Sequence, residues 1–309
     1  MSIKFYLEDL ESSVPVTICP GASKPDGKPL TKEDVLSFRG FVDWKNTLLE
    51  NLKLQQTEKD HTFHSSPFSL KSVEIQSVDW FGSRIGFMKI KSILSNDDGK
   101  DLPGICFLRG GSVAVLIILR PRDSREDRMV VMTEQPRIPV GSLSFMEIPA
   151  GMLDESDNFS GKAADEIWEE VGLKIPHSEL IDMTQLALSK ASRKTEGFRD
   201  AMYPSPGGSD EFISIYLWEK ELDRQEIEDL RGKLTGNTGE NITLRLIEYE
   251  MLWKECARDA KTLAAWALYE GLNRDGALKQ SLKRQRTEQV ADDDTGSSTG
   301  KRGRSKTSM

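Results

Sequence analysis

The chain has 309 residues, of which 30% are charged, and its formal net charge is −8 at pH 7. This length accommodates one large domain or two small ones, and the charge is typical of a soluble protein. Three cysteines without a CxxC pair argue against a disulfide scaffold and favour a reducing intracellular compartment. The longest purely apolar run, residues 113–119, is too short to cross a bilayer and predicts a buried central strand.

Residues 1–103 are expected to form a smaller N-terminal region with a helix and several strands. Thr31 followed by Asp34 is typical of a helix cap, so a helix is predicted to begin there. The apolar residues after this cap recur at helical spacing: Val35, Phe38, Val42 and Leu49.

Residues 104–276 are expected to form the main domain, with strands over 112–120, 129–134, 212–218 and 242–247 and a closing helix over 260–273. An extended run over 145–150 includes Pro149, which cannot donate to a strand ladder. A helix is predicted over 162–171, because Ala163, Ile167 and Val171 recur four residues apart. Gly172 is well placed to end it.

The predicted helix over 162–171 carries three carboxylates within five residues: Glu166, Glu169 and Glu170. Residues three and four apart share a helix face, so Glu166 and Glu170 stack one turn apart with Glu169 beside them. Like charges at this spacing are mildly destabilising. A hard cation such as Mg²⁺, in contrast, binds oxygen ligands and bridges carboxylate to phosphate. The alternative is an exposed acidic face of a helix.

The stretch over 151–173, GMLDESDNFSGKAADEIWEEVGL, resembles the Nudix box, G-x5-E-x7-R-E-U-x-E-E-x-G-U, where U is a bulky aliphatic residue. Seven of the nine fixed positions match: Gly151, Glu166, Ile167, Glu169, Glu170, Gly172 and Leu173. Asp157 stands where Glu is usual, and Asp165 stands where Arg is usual, which reverses a charge. Lys162, one helical turn earlier, compensates for this reversal by only a few tenths of a kcal/mol.

The Nudix resemblance implies an α+β fold, an α/β/α sandwich with a smaller N-terminal region. It also implies a Mg²⁺ site, with Mn²⁺ as the alternative ion. The implied ligands are the carbonyl of Ala150 and the carboxylates of Glu166, Glu169 and Glu170.

Two further segments are similar to those of the ADP-sugar diphosphatases, the ADP-glucose and ADP-ribose pyrophosphatases. SPGGSDE over 205–211 resembles their SPGG-x2-E loop, in which the glutamate is the general base; here it is Glu211, with Gly207 and Gly208 as substrate-binding residues. EQPR over 134–137 resembles their E-Q-x-R segment, in which the arginine faces the substrate; here it is Arg137. The alternatives are an exposed acid for Glu211 and a surface charge for Arg137.

The activity that these resemblances imply is Mg²⁺-dependent hydrolysis of ADP-glucose or ADP-ribose to AMP and a sugar phosphate. Glu211 and Glu169 are the implied catalytic residues. Because Asp165 reverses a charge in the box, a second function stays open: a Nudix-fold protein that binds a nucleotide or a partner without hydrolysis. The expected partners are a nucleoside diphosphate sugar and a second copy of the chain packed through the N-terminal region, with neither nucleic acid nor membrane.

Residues 277–309 are rich in Ser, Thr, Gly and charge and contain no aromatic residue, which predicts a disordered tail. Two basic tracts, 283–286 and 301–304, are compatible with nuclear targeting, although a solvated tail is the simpler interpretation. The first residues are acidic and lack an Arg- and Ser-rich presequence. A cytoplasmic location is therefore expected, with the nucleus as the alternative.

Overall fold

The computed structural model describes residues 2–8, 13–124, 126–153, 158–189, 196–236 and 241–282, apart from the side chain of Glu166. The strands are β1 (Ile3–Leu7), β2 (Val14–Ile18), β3 (Ser69–Phe81), β4 (Arg84–Ser95), β5 (Asp101–Leu102), β6 (Ile105–Leu108), β7 (Ser112–Pro121), β8 (Met129–Arg137), β9 (Ser142–Glu147), β10 (Ala150–Met152), β11 (Ile181–Asp182), β12 (Ile213–Leu222), β13 (Leu234–Thr235) and β14 (Ile242–Glu248). The helices are α1 (Lys32–Ser37), α2 (Arg39–Thr57), α3 (Phe159–Val171), α4 (Met183–Leu188), α5 (Arg224–Glu228), α6 (Leu252–Glu255) and α7 (Ala260–Arg274). The fold is α+β, as the sequence predicts.

The N-terminal region is built on a six-stranded sheet in the order β1-β2-β3-β4-β5, with β6 also paired to β4. The helix cap predicted at Thr31 is confirmed, because Thr31 and Asp34 form a reciprocal capping box. The single helix predicted after it is wrong at Phe38, where extended backbone (φ −78°, ψ 111°) separates α1 from α2. The Phe38 ring folds back over Gly40, where a Cβ atom would lie only 2.9 Å from it.

The main domain is built on an eight-stranded sheet in the order β11-β12-β7-β8-β14-β13, with β10 beside β7 and β9 beside β8. All four strands predicted for this domain are present, with ends that extend slightly further. Residues 113–119 are fully buried within β7, which pairs in parallel with β12 along its whole length. This confirms the buried central strand.

Helices cover both faces of the main sheet. Successive side chains of a strand point to opposite faces, so β7 contributes Val115 to one core and Ala114 to the other. Helix α3 packs Ala163 and Ile167 into the first core, as its spacing predicts. Helix α7 packs Ala265 into the second core. The result is the predicted α/β/α sandwich.

The C-terminal part of the main domain extends further than the sequence suggests. Residues 277–282 are helical, and Ala277 and Leu278 are buried in the core beneath α7. The prediction of disorder is therefore wrong for 277–282, because the apolar side chains at the start of this charged segment pack into the core. Residues 283–309, the rest of the predicted tail, lie outside the described residues. No helix within the described ranges is long and apolar enough to span a membrane.

Candidate active site

Helix α3 carries the acidic cluster and has defined ends. Its first turn is capped by Asn158, whose side chain accepts a hydrogen bond from the Gly161 N–H at 3.0 Å. It ends at Gly172, which has a left-handed conformation (φ 74°) that glycine adopts without steric cost. This confirms the predicted end of the helix. Of the two positions that differ from the Nudix box, Asp157 lies outside the described residues and Asp165 lies in α3.

Glu170 is the best-defined carboxylate of the cluster. Its side chain is buried, with 6% of the residue exposed, and Oε2 accepts a hydrogen bond from the Ala150 N–H at 3.1 Å. The Glu170 carbonyl also accepts from the Thr235 hydroxyl. The structure therefore brings together Ala150 and Glu170, two of the residues predicted to bind metal.

The other carboxylates of α3 differ in their surroundings. Glu169 is exposed, the backbone of Glu166 belongs to the helix, and the Glu166 side chain lies outside the described part of the structure. Asp165 is also exposed, so water screens the charge that it introduces at the arginine position. Exposed charges interact weakly with their neighbours, so this reversal need not disable the cluster.

The donor atoms of this cluster are carboxylate and carbonyl oxygens, which is the ligand chemistry that Mg²⁺ prefers. Among the described side chains, no group of three or more His, Cys, Asp or Glu is arranged to hold a metal ion. The Glu166 side chain, one of the predicted ligands, lies outside the described residues and is not among these groups. The chemistry of the donors fits the ion.

The loop over 205–211 ends at Glu211, whose side chain is 17% exposed. Glu211 Oε1 lies 3.4 Å from Nη1 of Arg109 and 3.4 Å from Oγ of Ser112. The loop is attached to the N-terminal sheet, because the Phe107 N–H donates to the Gly208 carbonyl at 2.8 Å. Gly207 and Gly208 both have open space where a Cβ atom would lie, so neither is required by local packing.

Asp210 attaches the same loop to the turn between β6 and β7. Its two carboxylate oxygens accept hydrogen bonds from the backbone N–H groups of Arg109 at 2.7 Å and Gly110 at 3.0 Å. Burial raises the pKa of Asp210 to about 6, although these two donors and the Arg109 charge act in the opposite direction. A carboxylate held this way fixes the position of the residue next to Glu211.

The raised pKa of Asp210 predicts a pH-dependent stability. Between about pH 4 and pH 6 the unfolded chain has released this proton while the folded chain keeps it, so stability falls as pH rises through that window. The effect is on the order of 2 to 3 kcal/mol. Urea unfolding should show that the free energy of unfolding of the wild type falls between pH 4 and pH 6.5, relative to that of Asp210→Asn. Parallel pH profiles would contradict the assignment.

Strand β7 brings Glu211 and Glu170 towards one place. Ser112, which contacts Glu211, is the first residue of β7, and Ala114 pairs with Ala150, which binds Glu170. Two residues along an extended strand span about 7 Å. The predicted base and two of the predicted metal ligands, Ala150 and Glu170, therefore lie beside the same end of the central strand.

Arg137 lies at the end of β8 and is tied to a buried acid. Its Nε donates a hydrogen bond to Oε1 of Glu147 at 2.6 Å, and Glu147 is only 3% exposed. Lys261 donates to the other oxygen of Glu147. This bonding argues against a simple surface charge for Arg137.

No protein-family model matches the chain. A curated relative, "Nudix hydrolase 14, chloroplastic" from Arabidopsis thaliana, is 39% identical over 251 residues, which is 80% of this chain and 77% of the relative. The chain belongs to the Nudix hydrolase family. A solved structure described as an ADP compounds hydrolase has 14% identity and a TM-score of 0.44, and the match covers 68% of this chain and 96% of that chain.

In this Nudix hydrolase, two side chains outside the motifs contact site residues that the motifs identify: Arg109 contacts Glu211, and Glu147 binds Arg137. A third, Lys261, binds Glu147 and so lies one contact away from Arg137. Glu147 gave a signal, since an acid in an apolar strand just before the box is unusual. Arg109 and Lys261 gave none, because each meets its partner only through tertiary folding.

A cavity of about 280 Å³ lies beside Arg109, between the N-terminal region and the main domain. Its lining includes four arginines, Arg39, Arg84, Arg109 and Arg199. Arg39 and Arg199 both pair with Asp43, at 3.1 and 3.0 Å. Nε of Arg109 is buried and has no hydrogen-bond partner among the described residues. A second cavity of about 430 Å³, lined largely by aromatic and aliphatic side chains, lies behind the 205–211 loop.

Proposed function

We propose that this Nudix hydrolase cleaves the diphosphate bond of an ADP-sugar, ADP-glucose or ADP-ribose, to give AMP and a sugar phosphate. The observation that carries the proposal is the convergence at the start of β7. There Glu170 is held against Ala150, and Glu211 contacts Ser112 two residues away along the strand. The SPGG and E-Q-x-R resemblances support the ADP-sugar as the substrate.

Each residue has a role in this proposal. Glu166, Glu169, Glu170 and the carbonyl of Ala150 would hold Mg²⁺, or Mn²⁺ in its place. When bound, the ion supplies positive charge that neutralises the diphosphate and helps to fix the geometry of attack.

Glu211 accepts the proton of the attacking water. Its contacts with Arg109 and Ser112 both use Oε1, so Oε2 is the oxygen that we assign to the water. Arg137 binds the diphosphate through its terminal nitrogens, since its Nε is bonded to Glu147.

The cavity beside Arg109 supports an anionic substrate. Four guanidinium groups line it against two carboxylates, Asp34 and Asp43. Guanidinium groups suit phosphate oxygens because they donate two parallel hydrogen bonds. We assign this cavity to the part of the ADP-sugar that extends from the cleaved bond. Gly207 and Gly208 do not line it, and we assign them to the substrate only through the resemblance of their loop.

The test is to incubate the full chain with Mg²⁺ and either ADP-glucose or ADP-ribose and to measure AMP. Release of AMP that stops when EDTA is added supports the proposal. UDP-glucose and NADH, run in parallel, test the choice of substrate. Binding of ADP-sugars without any AMP would instead support the second candidate, a non-catalytic nucleotide-binding protein, for which the reversed charge at Asp165 is the motivating observation.

The substitution Asp165→Arg restores the usual residue of the box. Because Asp165 is exposed, we expect a small gain: the Mg²⁺ concentration for half-maximal activity should fall by less than about tenfold. Titration of activity with Mg²⁺ measures it. A gain of a hundredfold or more would show that the natural Asp165 strongly impairs metal binding.

The homodimer and the cytoplasmic location stay predictions. The chloroplast is the location given in the name of the Arabidopsis relative, and that location concerns the relative alone.

A further inference from the structure

Glu147, the last residue of β9, is a buried carboxylate with a cation on each oxygen. Arg137 Nε donates to Oε1 at 2.6 Å, and Lys261 Nζ donates to Oε2. A buried charge is costly unless it is paired and hydrogen-bonded. Each cation therefore stabilises one oxygen of this carboxylate in its observed orientation.

Lys261 lies in the first turn of α7, where a cation is disfavoured by the helix dipole. Its side chain is only 12% exposed, and Nζ also binds Oδ1 of Asp259, the N-terminal cap of the helix, at 3.0 Å. The propensity of the helix does not account for a buried lysine at this position. Its ion pairs with the two buried carboxylates of Glu147 and Asp259 do.

The same turn of α7 also fixes the backbone that leads to the acidic cluster. The hydroxyl of Thr262 accepts a hydrogen bond from the Ile148 N–H at 3.1 Å, and Asp259 in turn accepts from Thr262. The segment 147–148 is thus held by α7 just before Ala150. Lys261 lies in this turn, and it shares the carboxylate of Glu147 with Arg137.

The geometry suggests what Lys261 does for Arg137. While Lys261 occupies one oxygen of Glu147, that carboxylate binds Arg137 through Nε. Without Lys261, the second oxygen would be buried without a partner and would turn towards the guanidinium, since arginine and carboxylate pair most strongly in a two-bond arrangement. The terminal nitrogens of Arg137 would then be occupied by Glu147.

We propose that Lys261 is a positioning residue that keeps the terminal nitrogens of Arg137 available for the diphosphate of the substrate, acting through Glu147. This inference rests on the proposed function, in which Arg137 binds the diphosphate. It assigns to α7, which is remote from the Nudix box in sequence, a part in substrate recognition.

The test compares Lys261→Met, which removes the charge at similar length, with Lys261→Arg, which retains it. For Lys261→Met we expect KM for the ADP-sugar to rise about tenfold or more, with kcat changed less than about threefold. Lys261→Arg should recover most of the KM. Lys220→Met, which breaks the partly exposed ion pair of Lys220 with Glu179, is the matched control and should leave KM unchanged.

A double-mutant cycle separates positioning from a general structural role. In the Arg137→Ala background, Lys261→Met should raise KM no further, because the residue it acts on is gone. An equal rise of KM in both backgrounds, or a fall of kcat with KM unchanged, would overturn the inference. If the wild type releases no AMP, the proposed function fails. The same cycle is then read from the Kd for ADP measured by calorimetry, and additive effects on Kd would overturn the inference.

Discussion

Glu170→Gln is expected to reduce AMP release from an ADP-sugar by about 10³-fold or more, equivalent to roughly 4 kcal/mol of transition-state stabilisation. Glutamine keeps the shape of the side chain and an oxygen for the Ala150 N–H. The neutral amide is a far weaker ligand for a hard divalent cation. The turnover of the purified variant at saturating Mg²⁺ measures the effect, and circular dichroism checks the fold.

Asp165→Asn is the control for Glu170→Gln, because it removes an exposed carboxylate from the same helix. We expect turnover within about twofold of wild type, since exposed charges interact weakly. Undiminished AMP release by Glu170→Gln would refute the assignment of α3 as the metal-binding element.

Glu211→Gln is expected to lower kcat by about 10² to 10⁴-fold, the contribution typical of a general base. Glutamine still offers an oxygen to Arg109 and Ser112, so the loop should keep its position. The Mg²⁺ concentration for half-maximal activity should not change, because Glu211 is assigned to the water. Steady-state rates over a Mg²⁺ titration measure both quantities.

Glu221→Gln, at an exposed position of β12, provides the control for Glu211→Gln and should retain wild-type kcat. If the Mg²⁺ requirement of Glu211→Gln rises together with the loss of turnover, Glu211 is a metal ligand and the base must be sought elsewhere.

Those parts of the fold that depend on local patterns could be predicted from the sequence. The apolar run of β7 and the four-residue spacing of Ala163, Ile167 and Val171 each identify a buried element, and both are found in the core. The predictions were wrong where contacts between distant parts of the chain determine the local structure. Phe38, whose ring packs over Gly40, has extended backbone between α1 and α2, and Ala277 is buried because the core beneath α7 accommodates it.

The site residues also fall into two groups, those that local motifs identify and those that only the folded structure reveals. The motifs identify Glu170 and Ala150, and the structure joins them by a hydrogen bond. The contact between Lys261 and Glu147 links residues 114 positions apart, and no spacing rule within one segment detects such a pair. What the sequence could not supply was therefore the set of side chains that hold the site residues in place.

The attachment of the 205–211 loop to β6 constrains how this chain can vary in length. The Phe107 N–H donates to the Gly208 carbonyl, so the N-terminal sheet helps to fix the position of the loop that carries Glu211. An insertion of one residue into β6 would reverse which side chains face inward and shift that anchor. Related chains should accordingly keep a constant number of residues between β6 and β7, and removal of residues 1–103 should not leave a working enzyme.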